Sequence, residues 1–240
     1  MHKVTGRHLL MSLSILLLGA VGGSLIVRKM ANGEAGTGFF RFALAVVAVL
    51  LLCQCLTFHK ARTRLPARLL FLGLFGYSML WFMLSVILPV FWISAMGAMS
   101  KCILAAVFAA IHLYNLVYGW RAFRRRWTAA GAAAFEAAWK PKHASVDWDK
   151  VQRKLGLAHH ILIPAMPRKL VPAAWVVMLA CAIAGLFLKS WWPAFSAFSW
   201  TVPVTLVAAF FNQLSGSYFA QAVTVRQIEQ DRNLVLKCAA

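Results

Sequence analysis

The chain has 240 residues, of which 62% are hydrophobic and only 13% charged, a balance that excludes an ordinary soluble domain. Its 25 Lys and Arg against 6 Asp and Glu give a net charge of +19. In a soluble protein that excess would point to nucleic acid. In a membrane protein basic residues gather in cytoplasmic segments and lean on anionic headgroups, so the lipid bilayer is the stronger reading and nucleic acid the weaker one.

A hydrocarbon core about 30 Å thick needs roughly 20 apolar residues at helical rise, and six stretches of the chain supply that length, which predicts an all-α, polytopic membrane protein. The first span is expected over residues 8–27. Its basic start and the run Gly19, Ala20, Val21, Gly22, Gly23 resemble a signal peptide. The apolar run is too long for one and Arg28-Lys29 follow directly, so a retained anchor helix is expected. Asn32, Gly33, Gly36 and Gly38 mark a first outer turn, and the second span covers residues 39–58. The third covers residues 69–88, after which Pro89 opens an uncharged stretch, residues 89–100, that reads as re-entrant or interfacial.

The fourth span, residues 101–120, leads into a basic loop over residues 121–169. With no helix breaker before Trp139 except Gly131, helix four is expected to continue past the membrane. Trp120, Phe123, Trp127, Phe135 and Trp139 fall on about half of its circumference, which suits a helix lying along the headgroups, with Arg124 intruding on the stripe. Pro141 ends that segment, and Ser145 reads as the N-cap of a short helix over residues 146–155. Asp147 and Asp149 in its first turn, Arg153 and Lys154 in its last and Gly156 after it match the helix dipole. Trp148, Val151 and Leu155 give it one narrow apolar face, suited to the bundle, to lipid or to a partner protein. His159 and His160 follow, beside Met166 and Pro167. The fifth and sixth spans are expected over residues 171–188 and 199–223, with Trp191, Trp192, Pro193 and Trp200 as interfacial anchors around the turn between them.

Twenty of the 25 basic residues fall before span one, between spans two and three, in the 121–169 loop and after span six, leaving Arg28, Lys29, Arg41, Lys101 and Lys189 on the other side. Positive charge marks the cytoplasm, so both termini and the helical loop are expected there, in the inner membrane of the cell. Arg62, Arg64 and Arg68 after span two, and Arg121, Arg124, Arg125 and Arg126 after span four, are the candidate contacts to anionic lipid or to a partner.

None of the six acidic residues lies in a span: Glu34 is in an outer turn and Glu136, Asp147, Asp149, Glu229 and Asp231 are on the cytoplasmic side. That pattern argues against carboxylate-coupled transport, a two-carboxylate hydrolase or an intramembrane Mg²⁺ site. The spans instead hold neutral polar groups: Gln54 between Cys53 and Cys55, His112 and Asn115 in helix four, and Asn212, Gln213, Ser215 and Ser217 in helix six. All three helices run outward to inward, so these residues are expected to meet in one polar layer, as hydrogen-bond glue between helices or as the lining of a path. A haem would need a second histidine facing His112 at equal depth, and none is present in the spans, so no cofactor is implied. Cys53, Cys55, Cys102, Cys181 and Cys238 show neither disulfide nor zinc spacing. No nucleotide-binding loop or serine-hydrolase elbow occurs. Small residues four apart, Gly19 and Gly23, Ala105 and Ala109, Ala180 and Ala184, Gly216 and Ala220, favour close helix packing within the bundle or between subunits.

Three functions fit this inventory. The first is a non-enzymatic inner-membrane subunit or assembly factor, of the kind used by secretion or conjugation machines, that docks protein partners through its basic loop. The second is a channel or facilitator for a neutral or anionic solute. The third is an enzyme acting on lipid phosphate through its arginine clusters.

Overall fold

The structure is a computed structural model and describes residues 4–30, 33–92, 97–141, 144–156, 170–188, 191 and 193–238. Among the described residues the chain is all-α apart from three two-residue strands. In order it forms α1 (Gly6–Met30), α2 (Gly33–Ala61), α3 (Leu65–Ile87) with a 3-10 turn at Leu88–Trp92, α4 (Ala98–Glu136), β1 (Trp139–Lys140), β2 (Ser145–Val146), α5 (Trp148–Lys154), α6 (Val171–Phe187), α7 (Pro193–Asp231) and β3 (Lys237–Cys238).

Among the described residues four helical stretches are long and apolar enough to cross a membrane: Gly6–Lys29, Glu34–Ala61, Leu65–Trp92 and Ala98–Glu136. Their outer faces carry Leu10, Leu18, Leu52, Leu56, Ile103 and Leu113 exposed, an arrangement suited to hydrocarbon rather than water. The segments expected as spans five and six are helical too, as α6 and α7. The residues of the paired histidines, 159 and 160, lie outside the described residues, as do Asn32, residues 93–96 and Trp192.

Several boundaries differ from the sequence reading. Helix α2 starts at Gly33 rather than residue 39, so Gly36 and Gly38 are helical and not part of a turn. A Cβ on Gly36 would press on the Arg28 Cβ and the Ser24 carbonyl, so α2 approaches α1 closely there. Helix α7 starts at Pro193, a residue well suited to the first helical turn, and runs to Asp231, well past residue 223. Helix α5 is shorter than expected and is capped by Asp147, whose Oδ1 accepts the Lys150 amide at 3.1 Å. Ser145 cannot be that cap because it is paired in β2. Gly156 follows with φ of 62°, the left-handed helix stop that glycine adopts without penalty.

Helices α1, α2 and α3 form a trio, and α7 packs on the far side of α3 while also carrying α4 and α6. Close approach is set by glycine. A Cβ on Gly23 would overlap the Phe39 ring, and one on Gly19 would press on the Trp81 indole, whose Nε1 donates to the Leu16 carbonyl at 3.2 Å. Between α4 and α7 the backbones themselves meet: a Cβ on Gly119 would overlap the Gln213 carbonyl, and one on Gly216 the Leu116 carbonyl. By contrast, Ala105 and Ala109 on α4 are exposed and make no such seam.

The end of the bundle that holds the α2–α3 turn is closed by a cap. Phe123, Phe135, Trp148, Val151, Leu155, Leu65, Leu69, Val225 and Leu236 are buried there together. The three strands line up in the order β1-β2-β3, β1 antiparallel and β3 parallel to β2, so the C-terminal tail is knitted into the 121–169 segment. The Leu65 amide donates to the Leu236 carbonyl at 3.0 Å, tying the tail to the start of α3. Val4 is buried with Ala61 and Phe71, which puts the N-terminal segment at this same end.

Candidate functional site

The polar side chains inside the helices gather in separate groups instead of one layer. In the trio, Gln54 Nε2 donates to Ser78 Oγ at 2.7 Å and to the Leu74 carbonyl at 3.1 Å, and Ser78 Oγ lies 2.6 Å from Ser12 Oγ. Gln54 therefore finds its partners on α3, and is linked to α1 only through Ser78, and not on α4 or α7. The expected meeting of Gln54 with the helix-four and helix-six residues is corrected by this geometry: α2 packs in the trio, whereas α4 packs on α7.

The second group lies along the α4–α7 seam. His112 Nδ1 is 2.5 Å from Asn212 Nδ2, and Gln213 Nε2 donates to Asn115 Oδ1 at 2.7 Å. Asn115 and Asn212 also donate within their own helices, to the Ile111 and Ala208 carbonyls. An amide nitrogen can only donate, so His112 Nδ1 is the acceptor in the first contact. His112 Nε2 and Gln54 Oε1 are both buried without a hydrogen-bond partner among the described residues. Ser215 turns the other way and donates to the Gly73 carbonyl of α3 at 2.9 Å.

A third group sits where the seam meets the cap. Gln221 Nε2 donates to Ser217 Oγ at 3.1 Å, while Gln221 Oε1 accepts from Trp148 Nε1 at 2.7 Å and Gln152 Nε2 at 2.8 Å. Gln221 is fully buried, and two donors on one carbonyl satisfy both of its lone pairs. These bonds anchor α5. Trp148, Val151 and Leu155 are at most 6% exposed, so the narrow apolar face of α5 is spent on its own bundle and is closed to a partner or to lipid.

The aromatic stripe of α4 is also turned inward. Phe123 and Phe135 are buried, Trp127 stacks between Phe123 and Trp148 with centroids 5.9 Å from each, and Phe135 stacks on Trp139 at 5.7 Å. The expectation that this stripe lies along headgroups is thereby overturned: α5 and the end of α7 cover it. Arg124 explains its own intrusion, because its Nη1 donates to Thr224 Oγ1 and Gln227 Oε1 of α7, both at 3.2 Å.

The arginines divide by this test. Arg68 is buried and donates through Nε to the Ala61 carbonyl at 3.4 Å, Arg124 reaches α7, and Arg126 donates to the Gly156 carbonyl. These three hold the fold together. Arg62, Arg64, Arg121 and Arg125 are exposed. Three of the carboxylates nearby are engaged within the chain: Glu136, itself exposed, pairs with Arg232, Glu229 Oε1 accepts the Leu236 amide at 2.7 Å, and Asp147 caps α5, while Asp231 is exposed. The cap thus shows solvent a surface in which Arg62, Arg64, Lys150, Arg153 and Lys154 are exposed.

Ser12, Ser78, Gln152, Gln221 and Thr224 are the partners that reading the sequence missed. Gln221 could have been found from its place four residues after Ser217 on one helical face. The serines carry no such signal, because a lone serine in an apolar helix usually bonds its own backbone. Among the described residues no three His, Cys, Asp or Glu side chains stand close enough together to hold a metal ion. No protein family, curated protein or solved structure matches this chain.

Proposed function

We propose that this chain is a non-catalytic, six-span subunit or assembly factor of an inner-membrane complex, with its termini and cap in the cytoplasm. The observation that carries the reading is the cap: Glu136, Glu229 and Asp147 are engaged by its own chain, while Arg62, Arg64, Lys150, Arg153 and Lys154 are exposed on it and outnumber the exposed acidic groups Glu136 and Asp231. Such a surface favours an acidic protein partner or anionic headgroups, and steers the approach of either. In this reading α6 and α7 are the fifth and sixth spans. The 17 residues of α6 reach about 26 Å, short enough to require slight local thinning of the bilayer. The cap sits at the end that gathers most of the basic residues, which supports a cytoplasmic placement.

The experiment is purification of the tagged protein from its native cells in nanodiscs, with mass spectrometry of what accompanies it. The reading expects a stoichiometric protein partner that is lost from an Arg153→Glu/Lys154→Glu variant. A single clean species from the unaltered protein would contradict it.

A second reading, a channel or facilitator for a neutral or anionic solute, draws on the two buried atoms that lack partners, Gln54 Oε1 and His112 Nε2. The mutual bonding of the other polar groups along the α4–α7 seam supports the glue reading over a path. Solute flux in proteoliposomes that falls in His112→Leu would restore the channel.

A further inference from the structure

Along the basic half of α4, Tyr114, Tyr118, Arg121 and Arg125 are spaced four, three and four residues apart, which places them on one helical face. The structure bears this out locally. The Tyr114 and Tyr118 rings stack with centroids 6.3 Å apart, and a recess of about 280 Å³ is lined by Tyr114, Val117, Tyr118, Arg121, Ala122 and Arg125. Four arginines occur between residues 121 and 126, and the fold uses only two of them: Arg124 is bonded to α7 and Arg126 to the Gly156 carbonyl. Arg121 and Arg125 are exposed on the recess and have no hydrogen-bond or ion-pair partner among the described residues.

We propose that this face binds the headgroup of one acidic phospholipid. The chemistry changes with depth in the order that a lipid does. Toward the cap the lining runs in chain order: the two phenols, with Val117 between them as a small apolar floor, stand at the level of the ester groups, and two guanidinium groups one turn apart stand where the phosphate would lie. From residue 114 to residue 125 is roughly 16 Å at helical rise, enough for a phosphate, a glycerol backbone and the first carbons of the acyl chains. Guanidinium groups hold phosphate oxygens with paired, charge-assisted hydrogen bonds, and tyrosine favours the interfacial zone where one edge is apolar and the other wet. A free phosphate ion would use the arginines alone and leave the tyrosines and the apolar floor without a role, so the lipid is the better occupant. The inference depends on the proposed membrane placement of α4 but on no protein partner.

The test is native mass spectrometry of the full-length protein titrated with phosphatidylglycerol or phosphatidylcholine in detergent, where lipid reaches both ends of the bundle. The unaltered protein should bind one phosphatidylglycerol about tenfold more tightly than phosphatidylcholine. Arg121→Gln/Arg125→Gln should abolish that preference, and Arg153→Gln/Lys154→Gln on the cap should preserve it. Tyr114→Phe/Tyr118→Phe, which keeps both rings, should weaken phosphatidylglycerol binding about threefold and serves even if the arginine variant does not fold. An unchanged preference in both site variants would overturn the proposal. So would displacement of the lipid by millimolar inorganic phosphate, which would identify a simple anion site. Orientation is read separately, by impermeant maleimide on intact cells carrying Ser100→Cys or Lys154→Cys in a background without other cysteines. Reaction of the Lys154→Cys protein from outside would overturn the topology while leaving the lipid result to stand or fall alone.

Discussion

The α1–α2–α3 trio and the α4–α7 seam with its cap solve the same packing problem differently. The trio is held by interlocking apolar groups around Leu16, Phe39 and Trp81, with one buried polar knot at Ser12, Gln54 and Ser78. Each of its helices touches both of the others. Helix α4 lies mainly on α7 and leaves most of its apolar span exposed, so its position must be specified along that one line. Two glycines bring the backbones together there, and separate polar contacts, His112 with Asn212, Asn115 with Gln213 and Arg124 with Thr224 and Gln227, set the register. In lipid there is no hydrophobic force to drive helices together, so close packing and hydrogen bonds determine which helix meets which. Where three helices surround one another, interlocking shape does most of the specifying and a single polar knot suffices. Where one helix has one neighbour, polar groups supply the specificity.

The contrast can be broken most severely at the glycines. Gly216→Leu drives a side chain into the Leu116 carbonyl and should destabilise the protein by about 3 kcal/mol or more, whereas Gly22→Leu, where a Cβ would meet nothing within 4 Å, should be near neutral. Thermal unfolding and size-exclusion profiles of the solubilised variants compare the two. Trp148→Ala comes next, at about 3 to 5 kcal/mol from the cavity and the lost bond to Gln221. Its damage should be confined to the cap, so hydrogen exchange should rise over residues 139–156 and 234–238 while the trio stays protected.

Smaller effects sharpen the comparison. Asn115→Ala and Gln213→Ala should each cost about 1 to 2 kcal/mol, and a double-mutant cycle between them should return a coupling of about 0.6 to 1.7 kcal/mol. A coupling of zero would show that the seam is held by packing alone. Gln54→Leu should change stability by no more than about 1 kcal/mol, since Gln54 Oε1 is already unsatisfied and Ser78 keeps Ser12 as a partner.

The long apolar runs made the helices legible, because span length is a direct consequence of bilayer thickness. Their ends were less so. Gly33 and Pro193 look like turn residues in a list of letters, yet each opens a helix, and proline suits a first helical turn. The stripe of Trp120, Phe123 and Trp127 was legible as a face, but a face does not name what covers it, and the covering groups come from α5 and α7, far along the chain. The same limit explains the polar residues. Depth along a helix follows from counting residues, whereas the division of Gln54 from His112 and Asn115 depends on which helices are neighbours, and the trio arrangement sets that. Ser145 was a plausible cap until β3 arrived from the end of the chain to pair beside it.

The most direct test of the account is photo-crosslinking in living native cells, with a reactive amino acid placed singly at Lys154 on the cap or at Val49 on the outer face of α2. The account predicts discrete protein adducts from position 154, lost when Arg153 is replaced by Glu, and only lipid from position 49. Adducts from neither position, or the same protein adducts from both, would contradict a cap that docks a partner.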